Sequence, residues 1–117
     1  MKHNMKLHPE YFNEIKSGER DLEYRLNDEK RRKLELGDVI IFKNSKNLED
    51  TFEVRVVGLL KYENFFDMFD DLYERHFKGK YNNMYKSSEE VAESMKEIYK
   101  EEDILKYGGL AIKFKLI

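Results

Sequence analysis

Val39-Ile40-Ile41-Phe42 is an unbroken run of bulky apolar residues, the pattern of a strand buried on both faces. A second run follows the polar stretch Lys43 to Asp50. There Phe52, Val54 and Val56 alternate with Glu53 and Arg55, and apolar character continues to Leu60. Two strands joined over so short a polar loop pair as a hairpin. A doubly wound parallel sheet would need a crossover of a dozen or more residues between them. This juxtaposition therefore points to a small mixed sheet. Gly58 predicts a bulge or bend in the second strand.

The flanking segments fit that choice. Met5 to Leu7 reads as a short strand that stops before Pro9. Proline suits the first position of a helix, and His8 before it is pushed out of the helical region. Tyr11, Phe12 and Ile15 make one stripe of the helix PEYFNEIKSG, which Gly18 closes. Leu22, Tyr24 and Leu26 then alternate with Asp21, Glu23 and Arg25, a strand with one buried face. Asp28 is placed to cap a short helix over EKRRKLEL. Leu36-Gly37-Asp38 is a turn. Asn64 caps a helix whose stripe is Phe65, Phe66, Phe69, Leu72, Tyr73 and Phe77. Ser87 or Ser88 caps another, EEVAESMKEIYKEE, with Val91, Met95, Ile98 and Tyr99 as its stripe. After the turn Tyr107-Gly108-Gly109, Leu110, Ile112, Phe114 and Leu116 alternate in a terminal strand. The order predicts an α+β fold, a small mixed β-barrel flanked by helices, in one domain over residues 1–117.

Composition narrows the function classes. The chain has no cysteine, which excludes disulfides, thiol catalysis and thiolate metal sites. No segment approaches the roughly 20 apolar residues of a membrane span, and MKHNMKLHPE lacks the apolar stretch of a signal peptide. A soluble, cytoplasmic protein is expected. The net charge of −2 hides no strong asymmetry: residues 1–62 hold 13 basic and 12 acidic side chains. Any anion site must be a local patch. No HxxxH, HExxH, GxSxG or phosphate-loop pattern occurs, and neither metal nor cofactor is expected.

Four constellations stand out. Glu23 and Arg25 fall on the strand face opposite Leu22, Tyr24 and Leu26, with Arg20 at the helix-to-strand junction. Two guanidiniums beside a carboxylate can hold a phosphate while the carboxylate reads a base amino group. The carboxylate can also serve as a general base. The competing reading is an exposed ion pair worth about 0–1 kcal/mol. Lys30-Arg31-Arg32-Lys33 cannot share one helix face; it is either a solvated turn or a phosphate-contacting rim. Asp67, Asp70, Asp71 and Glu74 gather near one helix face, either its wet side or a divalent-cation site. Tyr81 and Tyr85 beside Lys80 can stack bases or pack over the core rim.

Three motifs add a resemblance. Phe12-x-x-Ile15-x-x-Gly18-x-Arg20-x-x-Glu23-x-Arg25, then Leu36-Gly37-Asp38-x-Ile40-x-Phe42, then Ile98-Tyr99-Lys100-x-Glu102 with Tyr107-Gly108-Gly109-Leu110-Ala111-Ile112 resemble the ASCH domain family, a branch of the PUA-like barrels. The resemblance implies a barrel of five or six strands with a cleft beside the first motif, and RNA, a nucleotide or a nucleoside as partner. Some small members are amidohydrolases acting on an acetylated cytidine, and some cleave RNA. The amidohydrolases carry lysine and threonine where this chain has Arg20 and Glu23. Arginine stays protonated and cannot act as a lysine-like base; glutamate cannot replace a threonine nucleophile in kind. Glu74 stands near the family's glutamate.

The leading expectation is an RNA- or nucleotide-binding module with Arg20, Glu23 and Arg25 in its cleft and Lys30, Arg31, Arg32 and Tyr85 as further contacts. A hydrolase acting on a modified nucleoside or on RNA, with Glu23 or Glu74 as the carboxylate, is the alternative. A protein-interaction module without a nucleic-acid role is the third.

Overall fold

The computed structural model describes residues 1–72 and 88–117. Its strands are β1 (Lys2–Leu7), β2 (Leu22–Leu26), β3 (Val39–Asn44), β4 (Asn47–Tyr62) and β5 (Gly109–Leu116). Its helices are α1 (Pro9–Lys16), α2 (Phe65–Leu72), α3 (Ser88–Ser94) and α4 (Glu101–Tyr107), with short 3-10 turns at Arg31–Lys33 and Met95–Glu97. The five strands form one sheet in the order β1-β3-β4-β5-β2. β1 runs parallel to β3, and β3 pairs antiparallel with β4, Phe42 opposite Phe52. The sheet is therefore mixed, and the fold is α+β as expected. The described residues contain no helix long and apolar enough to cross a membrane.

The chain forms two compact units, Met1–Glu23 with Lys33–Leu60 and Ala111–Ile117, and Tyr24–Arg32 with Lys61–Leu110. In the first, Pro9 opens α1, and Phe12 and Ile15 are fully buried. Phe12 meets Phe52 edge-on at 4.8 Å between ring centroids, and Phe42 contacts both Phe52 and Phe114. Edge-to-face rings of this kind add to the large apolar area each buries.

The second unit is built on the aromatic stripe of α2. Phe65, Met68, Phe69 and Leu72 are buried. Tyr24 packs edge-on against Phe69 at 5.0 Å, and Phe65 stacks on Tyr99 at 5.8 Å. Asn64 caps α2 as expected, its Oδ1 accepting from the Asp67 N–H at 2.7 Å. Gly108 ends α4 with φ of 72°. A Cβ there would fall on the Tyr62 carbonyl oxygen, so both sterics and conformation demand glycine.

Two segments depart from the sequence pattern. The helix expected over EEVAESMKEIYKEE breaks at Ser94. The Ser94 hydroxyl donates back to the Val91 carbonyl at 2.5 Å, a bond that competes with the helix ladder. Ile98, expected on the buried stripe, is 69% exposed. The helix expected after Asp28 shrinks to the 3-10 turn Arg31–Lys33. The Glu35 N–H, which a longer helix would need, instead donates to the Asp38 carboxylate at 3.0 Å.

That carboxylate organises the Leu36-Gly37-Asp38 turn. Asp38 Oδ2 also accepts from His3 Nε2 at 2.8 Å. The backbone of the turn is bound to β4: Gly37 N–H donates to Val56 O, and Val56 N–H to Asp38 O. Arg55 Nη1 reaches Gly37 O at 2.7 Å. The hydrogen bond from His3, first, and that from the Glu35 amide pull the Asp38 pKa down from 3.8 to about 2. A carboxylate lowered in the folded state stabilises fully above its unfolded value and loses that contribution as pH falls through the folded one. Stability is therefore expected to fall between about pH 4 and about pH 2 through this group, and Asp38→Asn to flatten that part of the profile while lowering stability at neutral pH. Urea unfolding across this range checks both.

Candidate nucleic-acid interface

The first cluster is built at the end of α1. Gly18 has φ of 87° and its N–H donates to Ile15 O at 3.0 Å, closing the helix. The Arg20 N–H then turns back to Glu14 O at 3.2 Å. This return fixes where the Arg20 side chain leaves the backbone. Its Nε donates to Leu22 O at 2.8 Å. Its two terminal nitrogens lie 3.8 Å from Glu14 Oε2 and 3.7 Å from Glu23 Oε1. The guanidinium carbon sits 5.1 Å from the Tyr11 ring centroid, within cation–π range.

Glu23 is only 7% exposed. The expectation of one buried face on β2 is corrected here: Leu22, Glu23, Tyr24 and Leu26 are all buried, and Arg25 is half-buried. Burying a carboxylate is costly unless a counter-charge accompanies it. The Arg20 guanidinium supplies that charge, and it is itself largely shielded from solvent. The pair therefore differs from the exposed ion pair that the alternation of β2 suggested.

In the second unit the basic residues Lys30, Arg31 and Arg32 are divided by their surroundings. Asp28 caps the 3-10 turn, its Oδ1 accepting from the Arg31 N–H at 3.0 Å and its Oδ2 pairing with Arg31 Nη1 at 3.2 Å. Arg32 Nε donates to Asn27 O at 2.7 Å, and its guanidinium lies 5.6 Å from the Tyr107 ring centroid. Lys30 and Lys33 are exposed. Arg31 and Arg32 thus hold the turn in place, while the lysines face water. An open concavity of about 330 Å³ lies against this turn, lined by Leu26, Asp28, Glu29, Lys30, Asp103 and Tyr107.

Glu74, Tyr81 and Tyr85 lie outside the described residues. Of the acidic face of α2, Asp71 accepts from the Tyr62 hydroxyl at 2.5 Å and Asp67 from Asn64 Nδ2 at 3.2 Å. Among the described residues no group of three His, Cys, Asp or Glu is placed to hold a metal ion. Sequence reasoning did not single out Glu29, Asp103 and Tyr107, which line the open concavity. Asp103 reads as an ordinary acidic residue in the first turn of α4, and Tyr107 as part of a turn; only their meeting in space distinguishes them.

The ASCH domain family model matches residues 5–117, and the chain belongs to that family, whose PUA-like fold is generally thought to bind RNA. Over its whole length it is similar to the solved structure of the hypothetical protein PH0355, with 37% identity, 100% of both chains covered and a TM-score of 0.78. It is likewise similar to protein PF0455 from Pyrococcus furiosus, with 33% identity, 100% of this chain and 98% of that one covered, and a TM-score of 0.71. A mutant form of ZmASCH from Zymomonas mobilis shares the fold at 13% identity, with 96% of this chain and 66% of that one covered and a TM-score of 0.57. No curated protein matches.

The Arg20–Glu23 pair makes a stability prediction. Arg20→Ala removes the cation 3.7 Å from the buried Glu23 carboxylate, and is expected to cost roughly 3 kcal/mol. Glu23→Gln keeps the shape and removes the charge, and is expected to cost less. Denaturant unfolding of the two variants at neutral pH reads the difference.

Proposed function

We propose that this chain is an RNA- or nucleotide-binding module, and that Arg20 and Glu23 in the first unit, and Arg25, Lys30, Arg31 and Arg32 in the second, make its contacts. The observation that carries this reading is the Arg20 guanidinium, held by Leu22 O and the Tyr11 ring beside a buried carboxylate. A guanidinium fixed in orientation recognises phosphate with little further loss of side-chain freedom. A carboxylate accepts from base amino groups. Family membership supports the same reading.

Lys30, facing water in a capped turn, suits contact with a phosphate backbone. With a net charge of −2, attraction for RNA depends on such local contacts, so binding is strongest at low ionic strength.

Fluorescence anisotropy with a short single-stranded RNA in low salt tests the reading. Arg25→Ala and Arg20→Gln are expected to weaken binding at least several-fold. Lys30→Gln is expected to reduce the slope of log affinity against log salt by about 0.7, the loss of one single-strand phosphate contact. Unchanged affinity in both arginine variants, or no binding by the native chain at low salt, contradicts the proposal. Lack of RNA binding together with specific capture of a protein would favour an interaction module instead.

A further inference from the structure

We infer that the concavity at the end of β2 is a base-reading subsite for an unpaired nucleobase bearing an exocyclic amino group, cytosine or adenine rather than uracil. This rests on the RNA-binding reading above and adds a specificity that nothing in that reading requires.

The concavity joins three stretches of the second unit: Leu26 at the end of β2, Asp28 to Lys30 in the capped turn, and Asp103 and Tyr107 on α4. Its floor is firm. Asn27 N–H donates to Gly108 O at 3.0 Å, Arg32 Nε to Asn27 O at 2.7 Å, and Asp28 grips Arg31 through backbone and side chain. These bonds tie the turn to the end of α4.

The rim has hydrogen-bonding capacity left over. Asp28 is committed to Arg31. By contrast Glu29 and Lys30 are exposed, Asp103 and Tyr107 are half-buried, and no side chain among the described residues bonds the Glu29 carboxylate, the Lys30 ammonium, the Asp103 carboxylate or the Tyr107 hydroxyl. The Tyr107 ring is approached by the Arg32 guanidinium at 5.6 Å and the Lys106 ammonium at 5.0 Å, so the ring is engaged and its hydroxyl is what remains to offer. The lining is thus rich in acceptors, with one aliphatic wall and one cation.

An acceptor-rich hollow disfavours a bare phosphate, because carboxylates repel it. It suits the edge of a base whose amino group donates. Carboxylates accept from the cytosine amino group, and single-stranded RNA presents such edges unpaired. Lys30 on the rim can meet the neighbouring phosphate while the base edge faces Asp103. Uracil, with a carbonyl in place of the cytosine amino group, would set an acceptor against acceptors.

The sign of a charge-removing substitution separates reading from repulsion. The probes are hexamers of cytidine, adenosine and uridine, measured by anisotropy against the native chain, Asp103→Asn, Glu29→Gln and Tyr107→Phe. Thermal melts confirm that each variant is folded. The native chain is expected to bind the cytidine and adenosine hexamers about fivefold or more tightly than the uridine hexamer. Asp103→Asn is expected to erase most of that preference, weakening cytidine and adenosine binding while leaving or strengthening uridine binding. Glu29→Gln, on the exposed turn, is expected to do so in part. If Asp103→Asn strengthens all three hexamers alike, the carboxylate only repels RNA and the inference is overturned. Equal native affinity for the three hexamers overturns it too, with the RNA-binding reading intact. Failure of every hexamer to bind at low salt removes both.

Discussion

A buried carboxylate needs a partner, and Glu23 has one in Arg20. Glu23 sits at the second position of β2, where a strand with one wet face would leave it in water. It is enclosed instead, and the Arg20 guanidinium lies against it, shielded by the Tyr11 ring and fixed through Leu22 O. Placing that guanidinium requires Gly18 to end α1 where it does and the Arg20 amide to turn back to Glu14. The helix, its glycine stop and the first strand after it therefore act together: shifting the helix end by one residue would move the counter-charge away from the carboxylate it stabilises.

The same economy recurs at Asp38. One carboxylate receives a side-chain nitrogen of His3 and the Glu35 amide, while its own backbone joins the turn to β4. In both places a charged group that composition alone would assign to the surface is enclosed and bonded on several sides. Such groups add little net stability compared with an apolar substitute, yet they penalise alternative arrangements in which they would be buried unpaired. They specify where turns and strand ends lie, while Phe12, Phe42, Phe65 and Phe69 are among the largest side chains fully removed from water.

Much of the fold was legible from local signals with one strong physical cause each. Pro9 and Gly18 bracket α1, the Leu36-Gly37-Asp38 turn precedes β3, Asn64 caps α2, and the apolar runs at Val39 and Phe52 pair as a hairpin. What escaped depended on contacts distant in sequence or on competing hydrogen bonds. Nothing in the alternation of β2 shows that its polar face is covered, because that depends on Arg20 folding over Glu23. Nothing in the stripe of residues 91–99 shows that Ser94 bonds back to Val91 and that the helix stops there. The candidate site divides in the same way. Arg20, Glu23 and Arg25 were visible as a motif, whereas Glu29, Asp103 and Tyr107 are unremarkable in sequence and meet only through the packing of α4 against the capped turn.

The central claim is that the fixed guanidinium of Arg20, beside the buried Glu23, faces RNA. Nitrogen-detected or proton-detected NMR of arginine side chains tests this most directly, because the Arg20 Nε–H is bonded to Leu22 O and is expected to exchange slowly enough with water to be followed. On titration with a short single-stranded RNA in low salt, the account predicts a saturable shift of the Arg20 Nε–H signal together with the backbone amides of residues 20–25. Shifts confined to other parts of the chain, with the Arg20 signal unmoved at saturation, would contradict it.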